Sequence, residues 1–505
     1  MKISLWSATL LLLLPGVTFA QAPIAKTARS DTAPLGSTAF YPSAEHPIGW
    51  RGDGTGRYPA ATPPLTWERK KAGPGYQTKG IVWMTPMADQ GVSCPIVVGD
   101  RVYLTTEISD LVCLDKKTGK VLWIRSNPEF EGLSDEERKE EPAFAKLQPL
   151  AAELAKANAE LVTLLNTGIA TAPRSATRNI SGVTARKKAI EKKINEAQLA
   201  INKKQFDRYW GQAVFGFSGA TATSDGKHVC AFFTTGVSAC YDLDGHRKWI
   251  TRGKGGGSEH GNFASPVLVD GKLAVWANEM RGYDVETGKL AWSHPAKASN
   301  TYGSLFRLKS GKDDVAAFQC GYFVRVRDGA MIWGKNIFGD AVSTPVVEGN
   351  TIYAWVGYPK INDAIFKEFR PAGTDKIFLE IKIPDSTEGT KLKPYRGLKI
   401  EWAEGEVPVD KKKAPFNRGY VASPLYVDGL VYQMTQGCGL VVNDAATGAI
   451  VYRKVLPLKP RTEYWNWAGA STSPTLAGKH IYLMDNQGGT VVIEPGREYK
   501  EVAKN

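Results

Sequence analysis

Cysteine is scarce and scattered in this chain. Six occur in 505 residues, at 94, 113, 230, 240, 320 and 438. None is adjacent to another, and there is no CxxC or CxxCH. That excludes a zinc ribbon and covalently attached haem. After the first few residues no apolar run is long enough to span a bilayer as a helix. No Arg-rich run with interleaved aromatics stands out, so nucleic acid is not an expected partner. No Ser or Cys nucleophile motif is present. Acidic residues are also in deficit: Lys+Arg 64 against Asp+Glu 51 leaves +13 at pH 7. An excess of this size fits a solvated surface rich in lysine, or an anionic component of the cell envelope.

What remains is an ordinary globular composition, 43% hydrophobic and 23% charged. The 51 glycines and 10% aromatics lean towards short strands and tight turns. At the N-terminus Lys2, the apolar Leu10–Leu14 and the small residues of VTFAQA (17–22) read as a secretory signal peptide over 1–22. No Cys precedes Cys94, so a lipid-bearing N-terminal Cys is not expected. The implied location is periplasmic or extracellular. Export permits disulfides. Cys230 and Cys240 flank a turn at 234–236 and could face each other, either bonded or as buried thiols.

Two patterns recur. The first is CLDKKTGKVLW (113–123), which returns as CYDLDGHRKW (240–249), YDVETGKLAW (283–292) and NDAATGAIVY (443–452). The second precedes it: SCPIVV, ASPVLV, STPVVE, ASPLYV and TSPTLA, each followed by a Gly-containing turn and another apolar run. Asp270-Gly271 and Asp428-Gly429 are hairpin turns in this reading, because Gly tolerates positive φ. One unit is therefore four strands. Its Asp hydrogen-bonds the last turn, its Gly supplies the backbone freedom, and its Trp lies on the fourth strand. Asp115, Gly119, Trp123, Asp242, Trp249, Asp284, Gly288, Trp292, Trp333, Asp444, Gly448 and Tyr452 are the expected blade-docking residues. A period near 40 residues with four strands is that of a β-propeller blade. A ring buried between blades removes up to roughly 4–6 kcal/mol worth of apolar surface from water.

The repeat resembles that of the PQQ-like, quinoprotein alcohol dehydrogenase-like β-propellers, from about Trp50 onward. The expected fold is all-β: a propeller of seven to eight four-stranded blades over 79–505, after an extended segment at 23–78. KGIVWMTPM (79–87) reads as an isolated fourth strand. It implies either an extra strand on seven blades or an eighth blade whose other strands would follow residue 505. Two insertions interrupt the pattern. In 128–208, Leu147, Leu150, Leu154, Ala157, Leu161 and Leu164, then Val183, Ile190, Ile194, Ala197 and Ile201, have helical spacing. This predicts an antiparallel, coiled-coil-like helical hairpin, with arms of roughly 40–45 Å projecting between the first two blades. The second insertion, 360–406, is polar and Pro/Gly-rich and reads as a long loop or small subdomain in the fifth blade.

The resemblance implies fold more strongly than function, because such propellers include scaffolds as well as enzymes. The enzymes hold their quinone at the mouth of the channel. The matching positions here are Gln90, Glu259, His260, Asn262, Asp340, Arg418, Asn466 and Trp467. A Glu, an Asn and an Asp could ligate Ca²⁺, and Arg418 could pair with a quinone carboxylate. The vicinal Cys pair of the quinoprotein alcohol dehydrogenases is missing. The expectation is an exported, non-catalytic binding or assembly scaffold, without cofactor, that meets a protein partner through the hairpin or a propeller face. The alternative is an oxidoreductase using pyrroloquinoline quinone (PQQ) with Ca²⁺ at the mouth.

Overall fold

The computed structural model describes residues 43, 46–72, 75–167, 174–207, 216–253, 255, 263–277, 279–295, 303–319, 321–334, 338, 342–356, 377–388, 392–398, 421–460 and 472–505. Among them the protein is mostly β. Six four-stranded antiparallel sheets follow one another as simple meanders, over 96–126, 223–252, 267–295, 306–334, 346–398 and 425–455. A seventh, 475–504, is also a meander and gains Arg57–Tyr58 as a fifth strand. In all seven the register between third and fourth strands shifts once, for example between Cys113 and Leu114 and between Gly282 and Tyr283. Such a bulge bends the fourth strand and re-aims its side chains. Trp123, Trp249, Trp292, Trp333 and Tyr452 each lie opposite the residue just before it.

Two compact units are formed. The first contains Ile48–Trp50 and Glu68–Ala298, and the second contains Arg51–Trp67 and Ser299–Asn505. In the first unit, cores lie between the first and second sheets and between the second and third. In the second unit, cores join the fourth sheet to the fifth, the fifth to the sixth and the sixth to the seventh.

Several expectations change. Only Lys79 of 79–87 is in a strand, and that strand, Gly75–Lys79, pairs with Glu68–Ala72 as a separate hairpin. Residues 81–87 lack a partner strand. The N-terminal strand that joins the seventh sheet is Arg57–Tyr58. It runs parallel to Thr475–Ala477, beside the first strand rather than the last. So 23–78 is not merely an extended segment. Residues 360–406 are not simply a loop either: Ile377–Lys382 and Lys393–Leu398 are the third and fourth strands of the fifth sheet. Their polar sequence hid a strand pair whose apolar positions, Leu379 and Ile381, are fully buried. Residues 1–22, read as a signal peptide, lie outside the described residues.

The first insertion holds α1 (Asp135–Glu140), α2 (Gln148–Thr167), α3 (Arg174–Ile201) and α4 (Lys203–Phe206). Ser134 and Glu137 form a reciprocal cap at the start of α1. The long helices do not stand off from the sheet. Leu154, Ala157, Leu161 and Leu165 of α2, with Val183, Ile190 and Ile194 of α3, share one core with Val102, Val112, Leu114, Val121 and Ile124 of the first sheet. The side-chain amide of Asn166 both donates to Val121 O and accepts from Val121 N, at 2.8 Å each. It pairs with the sheet's open edge as another strand would, which satisfies groups an edge otherwise exposes.

Candidate functional site

The recurring turn is built the same way in three sheets. Asp115, Asp284 and Asp444 each accept from the backbone N and the hydroxyl of the Thr three residues on, at 2.6–3.0 Å. Gly119, Gly288 and Gly448 close these turns at φ +72°, +70° and +74°. Asp242 sits in a turn one residue shorter and accepts from Asp244 N and His246 N.

On these turns rest the indoles. The Trp249 ring lies against Gly288, and its Nε1 donates to Val285 O at 2.7 Å. Trp123 lies against Gly245 of the second sheet. Trp83, which no strand carries, covers Gly119 and donates to Lys116 O at 2.9 Å. Trp123 repeats the packing without the hydrogen bond. In its shorter turn the matching carbonyl, Leu243 O, accepts from Tyr103 and Arg101 instead. Trp292 packs on Gly282 of its own sheet. Trp333 is half-buried beside the core of the fourth and fifth sheets. Tyr452 meets Tyr499 edge-on at 6.4 Å.

The residue two before each first strand makes a second series of links. Cys94 N donates to Thr221 Oγ1, and Thr221 N to Ser265 Oγ, at 3.1 and 3.0 Å. In the second unit Ser304 N donates to Thr344 Oγ1, Thr344 N to Ser423 Oγ and Ser423 N to Ser473 Oγ, at 2.8–3.0 Å. Each hydroxyl satisfies a backbone donor of the preceding sheet. The signal was present in the sequence as a Ser or Thr before Pro at Ser265, Thr344, Ser423 and Ser473, whereas Thr221 precedes Ala.

Of the mouth positions, Gln90 is described. It is exposed, and its backbone O accepts from Glu107 N at 2.9 Å. Glu259, His260, Asn262, Asp340, Arg418, Asn466 and Trp467 lie outside the described residues. Among the described residues no group of three or more His, Cys, Asp or Glu is placed to hold a metal ion. Cys230 and Cys240 are paired across neighbouring strands as a disulfide.

The polar groups that do converge lie where α3 meets the first two sheets, a place the sequence reading did not single out. Lys187 is 1% exposed, with Nζ 3.0 Å from Asp110 Oδ2 and closer still to Glu191 Oε1. Asp110 also accepts from Ser126 Oγ at 2.5 Å, and Asn158 Nδ2 donates to that hydroxyl at 2.8 Å. Burial alone would lower the Lys187 pKa, but Asp110 and Glu191 outweigh it and raise it. Burial pushes Glu191 up to about 7; Lys187 opposes this, and Asp110 and Asp89 add to it. Two carboxylates thus share one ammonium in a low-dielectric setting, which favours a proton on one of them.

Glu191 borders a small cleft of about 30 Å³, partly open to solvent, between α3, the turns of the first sheet and Thr235 of the second. Ile108, Pro128, Leu154 and Ile194 supply apolar walls, while Asn195, Gln198 and Glu129 add polar ones. Gln198 Oε1 is taken by Phe130 N at 3.0 Å. Glu129 is bound to Arg252 at 3.2 Å. Asn195 Oδ1 and Thr235 Oγ1 are buried and have no hydrogen-bond partner. Next to the cleft, the Glu107 carboxylate accepts from Phe217 N, Ser218 N and Ser218 Oγ at 2.5–3.0 Å, tying the first sheet to the approach to the second.

A family model described as outer membrane protein assembly factor BamB matches residues 75–165 and 183–354, just over half of the chain. Among solved structures, BamB from Moraxella catarrhalis aligns at 12% identity, over 55% of this chain and 73% of that one, with a TM-score of 0.35. No curated protein matches.

Proposed function

The chain belongs to the family described as outer membrane protein assembly factor BamB, and on that premise we propose that it is a non-catalytic scaffold of the cell envelope. In this reading the seven successive sheets are blades of one propeller. The α2–α3 pair is a helical hairpin mounted on the first blade, and a protein partner docks there. The chain is exported and works without a cofactor.

The observation that carries this reading is the mounting of the helices. The inward side of α3 is committed to the sheet through Lys187, Ile190 and Ile194. Its other side presents Lys188 and Lys192, 55% and 75% exposed, with Lys193 also exposed. Lys188 and Lys192 face Asp89 and Glu196 across pairs that water screens. A rigidly held basic face suits an acidic protein surface, because little conformational freedom is lost on docking.

The test is co-purification from the envelope of the source cell, wild type against K188E/K192E/K193E. The expected result is recovery of one partner by the wild type and at least tenfold less by the variant. The same purified protein, titrated with PQQ with and without Ca²⁺, tests the oxidoreductase alternative. Saturable, Ca²⁺-dependent binding at micromolar concentration or tighter would displace the scaffold reading.

A further inference from the structure

We infer that the cleft beside Glu191 receives a primary ammonium group, and that a lysine side chain of the docked protein partner supplies it. The inference rests on the scaffold reading for the source of the lysine, and on the geometry of the cleft for the chemistry.

An ammonium group has three N–H donors and no acceptor. The cleft offers unclaimed acceptors of that kind. Thr235 is 3% exposed, yet its hydroxyl has no partner, and Asn195 Oδ1 is likewise unsatisfied. A buried polar atom left in that state is costly, so something on the missing side of the contact is expected. Glu191 adds charge: it and Asp110 share Lys187, so the cluster is one positive charge short whenever both carboxylates are ionised. The rest of the wall is apolar, from Ile108, Leu154 and Ile194. A lysine head, about the size of a water molecule, fits so small a cleft, with the methylene stem behind it lying along the apolar rim. A metal ion suits the cleft less well, since it lacks the three-carboxylate or His/Cys set such ions prefer.

Proton linkage sharpens the prediction. The charged groups around Glu191 are Lys187 on its own helix, Asp110 of the first sheet, Asp89 before that sheet, and the Glu129–Arg252 pair. With its pKa near 7, Glu191 is mostly neutral at pH 6 and mostly ionised at pH 8. The lysine probe stays charged at both. If the neutral form keeps about a tenth of the affinity, binding should therefore weaken about fivefold from pH 8 to pH 6.

The probe is Nα-acetyl-lysine methylamide, followed by NMR on the full-length protein, with its Nε-acetylated form as the neutral control. Expected are saturable shifts at the Thr235 methyl at pH 8, the fivefold loss at pH 6, and no response to the neutral control. Glu191→Gln should weaken binding about tenfold at pH 8 and remove the pH dependence. Thr235→Val, which keeps the shape, should weaken it about threefold and keep the pH profile. Equal binding of the neutral control, no saturation at pH 8, or an unchanged Glu191→Gln variant would overturn the inference. The co-purified partner distinguishes the two readings. If Glu191→Gln captures it as well as the wild type does, or saturating probe fails to displace it, the lysine assignment falls and the scaffold stands. If the probe binds but no partner is captured, the scaffold reading falls and the cleft stands as an ammonium site.

Discussion

The two units fasten their sheets differently. In Glu68–Ala298 an indole closes each of three successive turns: Trp83 over Gly119, Trp123 over Gly245 and Trp249 over Gly288. In Ser299–Asn505 the sixth and seventh sheets are held by Tyr452 against Tyr499, by Arg497 on Asp444 at 2.7 Å, and by the Tyr432 hydroxyl, which meets Gly496 N at 2.8 Å. The buried Arg51 guanidinium adds a clamp there, donating to the carbonyls of Ser423, Pro424 and Pro474 at 3.0–3.2 Å. The turn itself is the same in both units: Asp284 and Asp444 hold their Thr residues alike. The repeat therefore encodes the turn, while the fastening depends on which ring follows. The indoles of Trp83 and Trp249 each carry a donor that reaches a turn carbonyl. The Tyr452 hydroxyl is buried and has no partner.

The sharpest way to break this comparison is to remove one ring from each unit. Trp249→Ala should cost about 3–5 kcal/mol through lost packing and the lost bond to Val285 O. Tyr452→Ala should cost less, because the ring is only half-buried. The phenylalanine variants separate the polar part: Trp249→Phe loses its hydrogen bond, whereas Tyr452→Phe removes an unsatisfied hydroxyl and should be neutral or stabilising. Native-state hydrogen exchange reads each unit separately. Equal losses for the two alanine variants would end the distinction.

A smaller effect isolates the turn from the ring above it. Gly288 and Gly429 both have left-handed backbones, at φ +70° and +79°. A Cβ at Gly429 would meet nothing within 4 Å, whereas one at Gly288 would lie 2.6 Å from Trp249 Cδ2. Gly429→Ala should thus cost only the conformational strain, about 1–2 kcal/mol. Gly288→Ala should cost that plus about 1–3 kcal/mol of overpacking. Pairing Gly288→Ala with Trp249→Ala should remove the excess, a coupling that a double-mutant cycle reads directly. Additive costs would mean the ring is not what the glycine accommodates.

Much of this order was legible in the sequence, because it is periodic. The Asp-x-x-Thr-Gly spacing located the turns of Asp115, Asp284 and Asp444, and the alternation around Asp270-Gly271 located a hairpin. What failed was aperiodic. Trp83 fills a repeat role with no strand beneath it, although KGIVWMTPM (79–87) reads as a fourth strand. Leu379 and Ile381 sit in a segment whose polar composition masked two strands. The Lys187–Asp110–Glu191 cluster escaped notice because Asp110 is distant in sequence from the i,i+4 pair Lys187 and Glu191, and each looks like a solvated helix or strand charge. Helical spacing puts Lys187, four residues after Val183 and three before Ile190, on the apolar stripe of α3, but it does not show which acidic group of the sheet meets it.

The smallest predicted effect tests what the two units have in common. Ser265 in the first and Ser423 in the second each accept a backbone N–H from the preceding sheet, from Thr221 and Thr344, at 3.0 Å in both cases. The two serines are 2% and 4% exposed, so water cannot readily replace either hydroxyl. Alanine at either position strands a buried donor, which costs about 1–3 kcal/mol. Threonine should be tolerated at both, since Thr221 and Thr344 fill the same role in neighbouring sheets. The expected outcome is therefore a pair of similar losses for the alanine variants and near-native stability for the threonine ones. This contrasts with the unequal losses expected for the rings. Unequal alanine costs would show that even this link depends on its unit, and that Arg51, whose guanidinium already holds Ser423 O at 3.2 Å, carries part of it in the second.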